Sequence, residues 1–464
     1  MAKSLNTRIL IPSGVLGLGF DSDALARGVA AAPDAICIDG GSTDSGPFYL
    51  GTGTSKYSEL ATKAEWRELM LARAEAGVPL ILGSCGTCGT AQTVDWMFEM
   101  TLELARELGQ DLKIARLYSD QSVIDLIAAN EDQRIRPLLP ETPLDAGVLN
   151  RCSHIVALAG VEQITAALDA GADIVLAGRT TDTAVIAALP LARGAAPGAA
   201  WHGAKIGECG ALCSTHPVSG VIQIDFDEEG FTVQPLAEGA KCTPHSVIAH
   251  MLYENANPLE LVEPGGTLDV KTASVEAIDA KTVRVTGSNW IPAAHYTVKL
   301  EGAAISGYQT SSLVLIRQKE YVEKAQQWCD LLEAYLRKSI ETKMELKASD
   351  YDIDFRLIGI NATLGALETR DSQPAEVGVL MLVTSHTQSQ ATDIARLCNP
   401  FLLHFPLTKT EPLPTFAFPY SPAESERGAV YEFVLNHVLA LADPMQAFEL
   451  RIEETVNGRI VKSR

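Results

Sequence analysis

The sequence predicts a mixed α/β protein, with a doubly wound, mostly parallel sheet over residues 1–216 and an α+β domain over residues 217–464. Three observations predict it. Short apolar runs alternate with amphipathic segments of about 10–15 residues through the first part of the chain, the pattern of strands joined by crossover helices. From about Val218 the strands become shorter and half-polar, with alternation in Thr282-Val283-Arg284-Val285-Thr286. The 464 residues are 47% hydrophobic and 20% charged, enough for a large core without disulfide or metal staples.

In order along the first part, Arg8–Pro12 and Ala35–Asp39 read as short buried strands. A helix over Glu65–Ala76 is stopped by Gly77 and Pro79, and Leu80–Gly83 is the next strand. A second helix, Asp95–Leu108, precedes Gly109, where a left-handed cap is wanted. Strand Leu112–Leu117, helix Ser122–Ala129 and a Pro-rich link from Pro137 to Pro143 follow. Strand Ile155–Leu158, helix Gln163–Ala170, strand Asp173–Leu176 and helix Thr183–Ala188 complete this Rossmann-like part.

In the second part, Val221–Phe226, Phe231–Leu236, Leu268–Val270, Thr282–Thr286 and His295–Leu300 read as strands. A long helix over Lys319–Lys343 leads to strands Tyr351–Ile360 and Glu376–Ser385 and a helix over Gln388–Cys398. A Pro-rich link from Pro412 to Pro422, a helix over Ala429–Leu441 and a final strand Phe448–Glu454 end the reading.

Charge and cysteine use bound the function. There are 58 acidic and 37 basic side chains, a net charge of −21, and no run of Lys and Arg long enough to track a phosphate backbone. Nucleic acid is therefore not an expected partner. Nine cysteines, two of them as Cys85-Gly-Thr-Cys88, suit reduced thiols in the cytoplasm rather than a secreted disulfide framework. Lys3 and Arg8 precede an apolar run, Ile9 to Phe20, which Pro12, Gly14, Gly17 and Gly19 interrupt, so it reads as strand and loop rather than signal peptide. No uninterrupted apolar run of about 18 residues points to a membrane span.

Ligands of open parallel sheets lie beyond the carboxyl ends of the strands. Three loops there carry chemistry. Asp39-Gly-Gly-Ser-Thr-Asp44-Ser-Gly46 offers N–H groups and hydroxyls to a carboxylate or phosphate, through Gly41, Ser42 and Thr43, with Asp44 as an acid/base group. It matches neither a P-loop nor a dinucleotide fingerprint, and Gly14-Val-Leu-Gly17-Leu-Gly19 has the wrong spacing for one. A dehydrogenase is accordingly the weakest enzyme class.

The second loop, Gly83-Ser-Cys85-Gly-Thr-Cys88-Gly-Thr90, places thiols before a helix N-terminus, which would depress their pKa. Acid/base or nucleophilic use, half of a metal site with Cys209 and Cys213, and inert packing are the alternatives. Cys37, Cys152, Cys329 and Cys398 sit in apolar runs as core residues. The third loop, Gly178-Arg179-Thr180-Thr181-Asp182-Thr183, suits bidentate carboxylate capture by Arg179 with Thr180, and Asp182 is either an acid/base group or a helix cap. His245 at a helix start is a candidate cleft residue, whereas its spacing from His250 does not stack the two on one helix face. Signatures of GxSxG hydrolases, HExxH proteases, EF-hands and kinases do not occur.

Several runs together resemble a known family. They are Lys205-Ile-Gly-Glu208-Cys209-Gly-Ala-Leu-Cys213, Lys241-Cys-Thr-Pro-His245-Ser-Val247, Leu252-Tyr-Glu254 with Asn257-Pro258, and Glu263-Pro-Gly-Gly266-Thr-Leu-Asp269. With the Gly178–Asp182 loop, they are similar to the acyclic terpene utilisation protein A family over most of the chain. The resemblance implies acyl-CoA-type catabolism of terpene acids, or of small branched or multiply charged carboxylic acids.

The expected function is a cytosolic lyase, of the hydro-lyase kind, or an isomerase acting on a small carboxylate or acyl-CoA. Cys85 or Cys88 would work with Asp44, Asp182 or Glu208 as an acid–base pair, and Gly41, Ser42, Thr43, Thr90, Arg179 and Thr180 would hold the anion. No cofactor is assigned. Alternatives are a metal-dependent lyase or hydrolase with Cys, His and Glu ligands, and a non-catalytic subunit or ligand-binding module of a carboxylase-type complex. A homo-oligomer is expected, with room for a small accessory subunit.

Overall fold

Thr7–Ile11, Ala35–Asp39, Leu80–Gly83, Ile174–Ala177 and Leu112–Tyr118 pair side by side, in that order, as parallel strands. Their near-continuous apolar character follows from burial on both faces. Side chains alternate across the pleat, so Ile9, Ile11, Cys37, Ile81, Val175 and Ala177 join one core, which includes helices Asp182–Ala192 and Pro197–Gly207. Leu10, Ile36, Ile38, Leu82, Ile174 and Leu176 join the other, with helices Glu59–Ala76 and Ala91–Leu108. Gly109 takes the expected left-handed cap at φ 65°.

The computed structural model describes residues 6–253, 255–371 and 373–464, without the side chains of Asp44 and Ser219. Lys3 of the basic N-terminus and Glu254 of the family-like runs lie outside the described residues. No helix among the described residues is long and apolar enough to cross a membrane.

The chain divides into two units, residues 1–304 with 433–464, and residues 305–432. Position 216/217, the boundary expected from sequence, lies inside the first. The reason is visible in the pairing. Strands Ile222–Phe226, Gly230–Pro235, Val283–Thr286 and Ser274–Ala277 extend the parallel centre antiparallel on one side, and Glu449–Val456 and Arg459–Ser463 extend it on the other. The result, among the described residues, is one mixed sheet of eleven strands. The first unit also holds an antiparallel group in which residues 296–304 pair with Cys152–Ala157 and His437–Leu441.

The second unit packs helices Ala325–Met344 and Gln388–His404 around a core of Trp328, Leu336, Met381, Val383 and Ile394. Its sheet pairs Tyr351–Ile358 and residues 308–316 with Val377–Ser385. The long helix expected over Lys319–Lys343 is interrupted at Lys324, which separates Lys319–Glu323 from Ala325–Met344.

One expected element has the wrong type. Ala429–Leu441 is not a helix but parts of two strands, Glu424–Phe433 and His437–Leu441. In the latter, His437, Leu439 and Leu441 are buried and alternate with half-buried Val438 and Ala440, a period of two that a partner strand rewards.

Candidate active site

The ends of three parallel strands are laced together by backbone bonds that only glycine permits. Gly40 N–H donates to Gly83 O at 2.8 Å, Ser84 N–H to Gly178 O at 3.0 Å, and Arg179 N–H to Gly89 O at 3.0 Å. A Cβ on Gly40 would sit 2.2 Å from Ser84 O, and one on Gly89 would sit 2.2 Å from Arg179 N. The bends around Gly41, Gly86 and Gly178 therefore meet, as their sequence spacing after apolar runs suggested.

Arg179 lies at the centre of that meeting point, with its side chain 6% exposed. Its Nε–H donates to Glu301 Oε2 at 3.0 Å, and its Nη1 donates to Ser84 Oγ and Thr180 O, both at 3.0 Å. Asp182 Oδ1 stands 3.4 Å from Nη1. Burial opposes the Arg179 charge, but Glu301 and Asp182 outweigh it and raise its pKa above the ordinary value. Burial likewise opposes charge on Glu301, yet Arg179 and Lys299 hold its pKa below the usual range. Thr43 Oγ1 and Lys299 Nζ add bonds to the same carboxylate, at 3.1 and 3.3 Å. The guanidinium is thus neutralised within the protein, which corrects the expectation of an anion clamp at Arg179, and Thr43 serves Glu301.

The thiols lie beneath the bends. Cys85 and Cys88 are fully buried, and neither lines a cavity wall described below. Burial, reinforced by the Asp39 carboxylate, pushes the Cys85 thiol well above its ordinary pKa, opposite to the depression expected from the helix N-terminus. Cys88 Sγ sits 3.7 Å from Thr90 Oγ1 and 3.8 Å from Thr93 Oγ1, and Thr90 and Thr180 are themselves buried. The side chain of Asp44 lies outside the described residues. Cys213 is buried beside Cys242; its hydrogen bond with Cys242 first and burial second raise its pKa, and among the described residues the close group of metal-type ligands is Glu208, Cys209 and His250 rather than the two cysteine pairs.

In front of the bends is a cavity of about 570 Å³ in the first unit. Gly41 and Ser42 line it, together with Asp182, Glu208 and Cys209. Sequence reasoning did not single out two of its groups, Asp39 and Lys56. Asp39 is 5% exposed; its Oδ2 accepts from Gly41 N–H at 2.8 Å, and its Oδ1 has no hydrogen-bond partner. Burial first, then Asp182, push the Asp39 pKa well above the carboxylate range, against Arg179, the Gly41 N–H and the nearby Ser84 hydroxyl. Burial also raises Asp182, against Arg179 and Lys205. Lys56 is exposed at the rim, its ammonium 5.5 Å from the Tyr57 ring centre.

Glu208 follows helix Pro197–Gly207 as its cap and bonds Lys205 Nζ. Burial raises its pKa to about 8 despite that cation. Glu263 accepts from Thr183 Oγ1 at 2.7 Å, leaves Oε2 without a partner, and is raised by burial to about 7. His245 is exposed and does not line the cavity.

The family model of the acyclic terpene utilisation family protein AtuA matches residues 56–203 and 217–423. The chain belongs to the AtuA family. Within the matched segments lie Lys56, Cys85, Cys88, Thr90, Arg179, Thr180, Asp182 and Glu263, whereas Asp39, Gly41, Ser42, Glu208 and Cys209 fall outside them. Searches of curated proteins and of solved structures found no match.

Proposed function

We propose that this member of the AtuA family is a cytoplasmic enzyme of small carboxylic-acid or acyl-CoA catabolism, a hydro-lyase or isomerase that moves a proton on the carbon next to a carbonyl. The observation that carries the reading is Asp39 beside Asp182 on one cavity wall, one carboxylate oxygen buried without a partner and both groups raised in pKa. Two buried acids that repel each other share a proton, so one is an acid while the other is a base. The reading takes the parallel centre of the sheet as a doubly wound frame, whose ligands sit beyond the strand ends.

In a dehydration, the ionised partner takes the α-proton and the protonated partner delivers a proton to the departing hydroxyl. The C–H and C–O bonds break, a C=C bond forms, and water leaves. An isomerase uses the same pair without loss of water. Lys56 at the rim supplies the positive charge for the substrate carboxylate, and the Ser42 hydroxyl adds a donor. This assignment replaces the thiol–carboxylate pair by a carboxyl–carboxylate pair, and Arg179 by Lys56.

A thermal-shift panel of small mono-, di- and tricarboxylic acids and their CoA thioesters tests it, because a specific ligand stabilises the folded state. At least one acid should raise the melting temperature, with about tenfold weaker binding, roughly 1.4 kcal/mol, in Lys56→Gln. No stabilisation by any acid or thioester, or equal binding by Lys56→Gln, would contradict the reading.

A further inference from the structure

We infer that Glu208, Cys209 and His250 form a binding site for one divalent transition-metal ion of the zinc class, with an open coordination position facing the cavity. One carboxylate oxygen of Glu208, the sulfur of Cys209 and one ring nitrogen of His250 all lie within 4.8 Å of one another. Ligand atoms about 2.0–2.3 Å from a tetrahedral zinc stand somewhat closer together than that, so a small inward movement of side chains closes the site.

The backbone explains how the three meet. Glu208 and Cys209 are consecutive at the end of helix Pro197–Gly207, and His250 is the last residue of helix Pro244–His250. The 3-10 turn Gly210–Cys213, which follows Cys209, packs against the latter helix.

His250 supplies the independent sign of a missing ligand. It is 5% exposed; its ring lies against the Lys205 backbone and stacks on Tyr253, and its Nε2 is buried with no partner at hydrogen-bond geometry. A buried polar nitrogen left unsatisfied is destabilising, and a metal ion would satisfy the ring. Lys205 bonds Glu208 through Oε1, which leaves Oε2 for the ion.

A thiolate, an imidazole and a carboxylate select borderline ions of the zinc type over magnesium or calcium. Three protein ligands leave the fourth position open, the arrangement of catalytic rather than structural zinc. Glu208 and Cys209 line the cavity, so that position faces the space in which an acid would bind. There the ion would polarise a carboxylate or hydroxyl oxygen. The site shares the cavity of the proposed proton-transfer pair but none of its residues, and it stands or falls separately.

The test uses the full untagged chain. Elemental analysis after purification without chelator, and cobalt(II) titration of the chelator-stripped protein, should show about one ion per chain and a near-ultraviolet thiolate-to-cobalt band. Cys209→Ser should abolish the band, and His250→Ala should weaken binding about 100-fold; the exposed His245→Ala and the cavity variant Asp39→Asn should leave both measurements unchanged. If His250→Ala does not fold, the near-isosteric Cys209→Ser alone decides. Absence of a cobalt–thiolate band in the native chain, or an unchanged band in Cys209→Ser, overturns the inference.

Discussion

Arg179 and Glu301 stand 122 positions apart in sequence and form a buried ion pair, Nε to Oε2 at 3.0 Å, next to the cavity-lining Asp182. The pair ties the bend after strand Ile174–Ala177 to residues 296–304 of the first unit's second sheet. It is a positioning device: it fixes Asp182 and Ser84 around one guanidinium, whose charge is met by Glu301 and Asp182.

Removing one partner of a buried pair strands the other charge. Glu301→Gln should therefore destabilise the chain by about 3–5 kcal/mol, read from urea unfolding at neutral pH. An unfolding midpoint equal to that of the native chain would show that the pair is not needed.

The thiols should matter to packing and not to chemistry. Cys85→Ala should lower stability by about 1–2 kcal/mol while leaving acid binding intact, and Cys85 should react with alkylating reagents only on unfolding. Fast alkylation in the native state, or loss of ligand binding at full stability, would return the thiol to the mechanism.

At Gly89 the neighbouring backbone, rather than a flexible side chain, excludes a Cβ. Gly89→Ala should disrupt the junction of the bends, with a loss of more than about 3 kcal/mol or failure to fold. A soluble Gly89→Ala protein with native melting would mean that the strand ends tolerate separation.

His202 makes stability depend on pH. It is buried, bonds Ser288 Oγ through Nδ1 at 2.7 Å, and burial lowers its pKa to about 4. A histidine near 6.5 in the unfolded chain gains its proton first there, so stability is intact above about pH 6.5 and declines as pH falls towards 4, by at most about 3 kcal/mol from this group. Urea unfolding at pH 7 and pH 5 should show that decline, and His202→Gln should reduce it, the remainder coming from other groups such as His250, whose pKa burial also lowers to about 4. Equal slopes in the two proteins would remove His202 as the cause.

Much of the parallel centre was legible because burial on both faces leaves unbroken apolar runs, and the glycines after them mark strand ends. Gly41, Ser42 and Asp182 drew attention for that reason, whereas Glu208 was singled out with the Cys209/Cys213 run, which stands at the end of a helix. Helix Pro197–Gly207 was not, since almost all of it is buried and no polar face sets a period. Lys56 sits in a polar turn, and Glu301 lies in a strand of the second sheet, so only tertiary pairing brings them to the site. Asp39 was read with its loop, but its orphaned oxygen is a property of packing. The strands at Glu424–Phe433 and His437–Leu441 were missed because short apolar runs with Ala and Leu fit a helix period until a partner strand is known.

The most direct measurement is hydrogen–deuterium exchange at the carbon next to the carboxyl of an acid that the thermal-shift panel identifies, followed by NMR in heavy water. The account predicts exchange by the native chain and its loss in both Asp39→Asn and Asp182→Asn with folding retained. Undiminished exchange in the two variants would contradict it.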